Sequence, residues 1–192
     1  EEEEEEDYDI EKEINDKDRI LLMSCSPKFD KSGIITGVVN IARDITEQKY
    51  AEEKIHKLSC AVEQSPVTTV ITDTDGNIQY VNPKFSQLTG YTEEEALDQN
   101  PRILKSGKTS PGEYKKMWDQ IFSGKEWHGE FCNKKKNGEI YWENAIISSI
   151  KNSAGDITNF IAIKEDITKG KKIEEELLSS EERFRALPTN IP

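Results

Sequence analysis

Histidine and cysteine are scarce in this sequence, with two and three copies among 192 residues. Cys25, Cys60 and Cys132 are odd in number and widely spaced, and no Cys-x-x-Cys pair occurs, so neither a disulfide framework nor a zinc site is indicated. The expected state is three reduced structural thiols. H-E-x-x-H, G-x-S-x-G, a Walker-type loop, a phospho-acceptor histidine segment and an ATP-binding domain are also missing, so no catalysis and no metal centre are expected of this stretch of chain. No apolar run approaches the roughly 20 residues that cross a bilayer, and the start lacks the basic-then-apolar order of a secretion signal, which points to a cytoplasmic setting. A basic stripe is lacking as well. Of 38 acidic and 26 basic side chains, residues 1–18 hold twelve carboxylates and two lysines, so the remainder is nearly neutral. Without clustered Lys and Arg, nucleic acid is not an expected partner. The acidic start has none of the alternating Asp, Asn and Gly of a calcium loop and is expected to be a disordered end.

What is present is a repeat. GIITGVVNIARDITEQKYAEE from Gly33 realigns on GDITNFIAIKEDITKGKKIEE from Gly155, an offset of 122 residues. Such self-similarity points to serial modules. In each copy an alternating strand pattern runs into Asp-Ile-Thr, at Asp44 to Thr46 and at Asp166, Ile167 and Thr168, and a charged helical stretch follows at once. Residues 19–46 therefore read as the terminal hairpin of a truncated upstream module, and residues 59–168 as a whole one. The chain, opening with Glu and stopping at Pro192, is expected to be a piece of a longer protein.

Two linker helices follow the junctions. Over residues 47–62, Ala51, Ile55, Leu58 and Val62 recur at four, three and four, an a/d seam. Adding 122 gives Ile173, Leu177, Ser180 and Phe184 in the linker of residues 169–187, with Leu187 beyond. Pairing with a partner helix is the expectation, and packing of a single amphipathic helix on its own domain is the alternative.

Within the whole module, VTTVITD and NIQYV flank a hairpin signal at Asp75-Gly76. Asn82-Pro83 opens a short helix ended by Gly90, and Thr92 with Glu95 makes a capping-box pattern for the next. Ser110, Pro111 and Glu113 open the best-defined helix, whose Tyr114, Met117, Trp118, Ile121 and Phe122 keep one face until Gly124. WHGEFCNKK, EIYWENAIISSIK and DITNFIAIKED then read as an antiparallel meander. In its middle strand Ile140, Trp142, Ile146 and Ile150 share one face while Tyr141, Ala145 and Ile147 share the other, so both faces need cover. The short helices suit one face and the linker helices, of this chain or a partner, the other. Helices crossing a sheet leave a pocket.

This order of elements, the text YVNPKFSQLTGYTEEEALDQN, the Trp-rich later strands and the terminal Asp-Ile-Thr resemble the PAS family over residues 59–168. Residues 19–46 resemble the end of a second PAS domain and SSEERFRALPTNIP the opening of a third. The resemblance implies an α+β fold: a five-stranded antiparallel sheet with short helices on one face and amphipathic linker helices beside it. It also implies a sensory input and relay module of a multi-PAS protein, a sensor histidine kinase or alternatively a diguanylate cyclase, acting as a homodimer through linkers and sheet on a downstream domain. A cofactor-free spacer and dimerisation module is the competing expectation.

The pocket residues differ among PAS members. Light-sensing ones carry a flavin-attacking cysteine in Gly-Arg-Asn-Cys-Arg-Phe-Leu, whereas the matching DQNPRIL here has Pro101 at that place. Haem-binding ones use a histidine on the long helix, and here His56 and His128 lie elsewhere. Redox-sensing members that hold FAD without a covalent bond resemble ILKSGKTSPGEYKKMWDQIFSGKEWHGEFCNKKKNGEIYW more closely. That resemblance implies Trp118 beside the flavin and Asn133 at its ring edge, with Phe131 on the face of Asn133 and Leu104 on the wall. Where light-sensing relatives place flavin-binding Asn and Gln, this chain has Glu143 and Lys164, and an ion pair between them would close a small pocket against a ring system. FAD, another small ligand and a packed, empty core are the alternatives. The lysines at 134–136 are expected to be a solvated loop.

Overall fold

The computed structural model describes residues 10–16 and 19–185, and divides them into two units that meet at Cys60 and Ala61. The first holds three antiparallel strands in the order β1-β2-β3, with β1 at Ile10–Asp16, β2 at Arg19–Phe29 and β3 at Ile35–Asp44, followed by helix α1 at Thr46–Glu63. The expectation of a disordered acidic end needs correction at β1. Ile10, Lys12 and Ile14 alternate with Glu11, Glu13 and Asn15, and the backbone of this segment pairs with β2 from Ile10↔Cys25 to Asp16↔Arg19. Period-two alternation and a waiting strand edge outweigh a high acidic count. Residues 1–9 of that end lie outside the described residues.

The second unit carries a five-stranded antiparallel sheet in the order β5-β4-β8-β7-β6. Its strands are β4 (Thr68–Asp73), β5 (Ile78–Val81), β6 (Trp127–Lys134), β7 (Ile140–Lys151) and β8 (Ile157–Asp166). Between β5 and β6 come α2 (Pro83–Thr89), α3 (Glu93–Ala96), a 3-10 turn (Pro101–Leu104) and α4 (Pro111–Phe122), and α5 (Thr168–Arg185) leaves the sheet after β8. The expected α+β architecture is the observed one.

Local chemistry accounts for the boundaries. Asn82 caps α2 by accepting from Phe85 N, and it also accepts from Thr69 N while its amide donates to the Val62 and Val67 carbonyls. One wholly buried side chain thus closes α2 and fastens it to β4 and the end of α1. Reciprocal capping boxes open α3 at Thr92 and Glu95 and α4 at Ser110 and Glu113. Three hairpins share another device: Asp30, Asp73 and Asn152 each accept backbone amides two and four residues on, with a positive-φ glycine at the third residue after. Asp30 and Asn152 stand 122 residues apart, so the sequence repeat is also a repeat of turn chemistry.

The inner sheet face buries Phe131 and Asn133 of β6, Tyr141, Glu143, Ala145 and Ile147 of β7, Phe160 and Lys164 of β8, and Val70 of β4. Two apolar clusters sit against it. Val70, Ile78, Val81, Phe85, Ala96 and Leu104 gather under α2 and α3, while Met117, Ile121, Phe131, Ala145, Ile147 and Phe160 gather under α4. The outer face stays more open, with Ile146, Ile150 and Ile163 exposed.

Candidate functional site

A cavity of about 140 Å³ lies between α4 and the inner sheet face. Its existence follows from side-chain size. Ala162 of β8 lines it, flanked on the same strand by Phe160 and Lys164, so large residues surround a small one. Met117, Trp118 and Ile121 of α4 form the roof, held there by the i, i+1 and i+4 positions of the apolar stripe.

Aromatic packing sets the walls. Trp127, Phe131 and Tyr114 stack in sequence at 4.9 and 5.6 Å between ring centroids. Gly129 permits this, because a Cβ there would fall 2.3 Å from the Trp127 ring. On the other side Trp118 meets Phe160 edge-on at 5.7 Å and Phe122 at 5.5 Å.

At one end of the cavity the base is polar. Lys164 Nζ donates to Glu143 Oε1 at 2.6 Å, and Asn133 Nδ2 donates to the same oxygen at 2.8 Å. All three side chains are buried. Lys164 and Asn133 line the cavity, while Glu143 lies beneath them and neutralises the ammonium. Beside this triad lie two buried hydroxyls, that of Tyr141, opposite Asn133, and that of Thr68, opposite Lys164. Burial, and then the Glu143 charge, push the Tyr141 hydroxyl far above its ordinary range, so it stays protonated. Arg102 and Lys105 also line the cavity and are exposed, which marks its mouth. Lys105 Nζ sits 3.7 Å from the Tyr114 ring centre.

The structure thus brings Trp118, Phe131, Asn133 and Lys164 to one cavity and ties Glu143 to it. Leu104 is placed differently: it is absent from the cavity lining and belongs to the buried cluster under α2 and α3 with Ile78, Val81, Phe85 and Ala96. Pro101 lines the cavity where light-sensing relatives carry cysteine, and Cys132 points to the opposite sheet face from Phe131 and Asn133. The lining holds no cysteine and no histidine. His128 is an exposed partner of Glu126. Of the lysine run, Lys135 pairs with Glu139 and Lys136 with Glu95.

A flavin does not fit this geometry. Walls and amide have the right chemistry, but about 140 Å³ matches the size of cavity that takes one benzene-sized ring, not three fused rings. One of the two amide N–H donors of Asn133 and one of the three donors of Lys164 are already committed to Glu143.

The Asp-Ile-Thr junction lies next to this base. Thr168 N and Oγ1 both donate to Asp166 Oδ1, at 2.9 and 2.5 Å, and Thr168 Oγ1 accepts from Trp142 N at 2.9 Å. Ile167 N donates to the Trp142 carbonyl at 3.0 Å. The Thr hydroxyl thus reaches sideways to β7 instead of forward to the helix amides, since it donates its proton to Asp166 and its lone pairs face the neighbouring strand. The first unit repeats the arrangement, with Asp44 holding Thr46 and Thr46 Oγ1 accepting from Ile20 N at 2.8 Å. Sequence reasoning missed one further part. Lys171 Nζ reaches Glu130 of β6 at 2.8 Å and Lys49 reaches Glu13 of β1 at 2.5 Å, so the first turn of each helix is strapped to the far strand of its hairpin pair. The two lysines are 122 residues apart, a signal the repeat contained.

The sequence profile of the PAS domain matches residues 1–47 and 66–169. The chain belongs to the PAS domain family. It is 33% identical over 131 residues to a nitrogen fixation regulatory protein of Klebsiella oxytoca, covering 68% of this chain and 26% of that protein. The PAS chain thus spans about a quarter of that relative's length. A crystal structure of the PAS domain of a Colwellia psychrerythraea protein covers 60% of the chain and 98% of its own at 26% identity and a TM-score of 0.53. The LOV domain of a blue-light activated histidine kinase from Erythrobacter litoralis covers 55% of the chain and 99% of its own, at 26% identity and a TM-score of 0.51. No helix among the described residues is long and apolar enough to cross a membrane.

Proposed function

We propose that this PAS chain is a sensory input and relay module of a larger multi-PAS signalling protein of the histidine kinase type. Occupancy of the cavity alters the Lys164–Glu143 pair, and the Asp-Ile-Thr junction passes the change to α5. One observation carries this reading: Lys164 lines the cavity and Asp166 holds Thr168, and they lie two residues apart on β8. A PAS match over residues 1–47 and the repeated junction support a second PAS unit upstream. Ile55 and Leu58 of α1 and Ile173 and Leu177 of α5 are all more than half exposed, which supports pairing of each linker with its copy in a homodimer, along with the open outer sheet face. The side chain of Phe184 and residue Leu187 fall outside the described residues.

The test is signalling by the full-length protein carrying Asp166→Ala or Thr168→Ala. Biased or lost output from a folded receptor supports the relay. Wild-type amplitude and threshold in both variants would favour a spacer and dimerisation role.

Flavin binding is the second reading, favoured by the aromatic walls and by the amide at Asn133. It requires the cavity to widen and the triad to open. Oxidised-flavin absorption in the purified chain would establish it, and loss of that absorption in Asn133→Ala would place the ring edge.

A further inference from the structure

We propose that the cavity binds a small aromatic carboxylate, one ring with one acid group, whose ring lies over Ala162 and whose carboxylate meets Lys164. The proposal rests on the reading of this cavity as the sensory site and names its ligand class.

Size selects a single ring. The volume of about 140 Å³ is close to that of an apolar cavity that accepts benzene. Position follows from the strand. Phe160, Ala162 and Lys164 alternate along the inner face of β8, so Phe160 and Lys164 are about 13 Å apart with the small Ala162 between them. A ring on Ala162 has Trp118 and Phe160 at one end and Lys164 at the other.

Charge selects an acid. The lining contains Lys164, Lys105 and Arg102 and no carboxylate. Even with Glu143 counted beneath it, the cavity carries an excess of positive charge. Lys164 is 7% exposed, and its ammonium has three donors of which Glu143 takes one. Two strong donors on a buried side chain recognise an anion through charge-assisted hydrogen bonds. The exposed Lys105 and Arg102 at the mouth draw the same ligand in.

The test is calorimetric titration of the 192-residue chain with benzoate and, in parallel, with neutral benzyl alcohol. Benzoate should bind saturably and roughly tenfold or more tightly than the alcohol, the factor expected of a charged hydrogen bond in a buried site. Ala162→Leu, which fills the cavity and touches no charge, should abolish both. The double variant Glu143→Leu with Lys164→Met keeps the base uncharged and folded, and it should retain the alcohol and lose the preference for the acid. Equal affinity for acid and alcohol, or a preference that survives in the double variant or in Ala162→Leu, overturns the proposal. Flavin retained on the purified chain would overturn it too while leaving the sensory reading intact. Failure of benzoate to bind, together with wild-type signalling by full-length Ala162→Leu, would overturn both.

Discussion

Glu143 of β7 stands directly opposite Asp166 of β8 in the sheet register. The carboxylate that holds Lys164 below the cavity and the carboxylate that holds Thr168 at the start of α5 therefore belong to one cross-strand pair. Trp142, whose amide donates to Thr168 and whose carbonyl accepts from Ile167, is the residue next to Glu143. No long pathway is required between pocket and helix, because the two share adjacent residues of the same two strands.

The buried pair predicts a rescue by a second substitution. Lys164→Met alone leaves the Glu143 carboxylate buried without its cation, with the Asn133 amide still donating to it, and should cost about 3–5 kcal/mol of unfolding free energy. Adding Glu143→Leu should recover most of that loss, since two apolar groups of similar volume replace two charges. Urea unfolding of the single and double variants measures both values.

At the junction, Thr168→Val keeps the branched shape and removes the acceptor for Trp142 N, at a cost of about 1 kcal/mol. Thr168→Ser keeps the acceptor and should stay close to wild type. Cavity binding should be unchanged in both, while amide exchange in the first turn of α5 should quicken in the valine variant alone.

The Lys171–Glu130 strap should act on position more than on stability. Both side chains are over a third exposed, so Lys171→Ala should leave the unfolding transition close to that of the parent, and salt should erase any difference. Exchange at the start of α5 should still rise, with an amplitude that falls as ionic strength increases.

Much of this fold was legible in the sequence because its boundaries are local chemistry. Asn82-Pro83, Thr92 with Glu95, and Ser110 with Glu113 act within three residues of themselves, and the structure places each as a cap. Parity likewise assigned Phe131 and Asn133 to one face. What escaped depends on separate strands meeting. The acidic composition of residues 1–18 hid β1, whose formation rests on the edge of β2. The direction of the Thr168 hydroxyl depends on the β7–β8 ladder ending at Glu143, which leaves the adjacent Trp142 amide to Thr168, and no spacing rule encodes that. The family resemblance puts Leu104 on the cavity wall, but a 3-10 turn sends successive residues to different sides, and Leu104 joins the cluster under α2 and α3 while Pro101 lines the cavity.

Alkaline titration should show a late tyrosine. Burial first, and then the hydrogen bond to Glu63 at 2.5 Å, push the Tyr80 hydroxyl up to about 12. Its folded value lies above the unfolded one of 10.0, so the contribution to stability is complete below pH 10 and is lost as pH rises toward about 12. At the acid end the sign is opposite. Asp44 is held below 3.8, chiefly by the Thr46 hydroxyl, so its contribution is present above that pH and fades as pH falls through the lowered value. Spectrophotometric titration of Tyr80→Phe should lack one high-pH step present in the parent.

The most direct test of the shared cross-strand pair needs no ligand. Amide hydrogen exchange should be compared between the parent chain and the folded double variant Glu143→Leu with Lys164→Met. The account predicts faster exchange at the Trp142 amide and through the first turn of α5 from Thr168, with protection in β4 and β5 retained. Unchanged exchange at Trp142 and in α5, with the altered base confirmed by its unfolding free energy, would contradict a coupling between cavity and helix through Glu143 and Asp166.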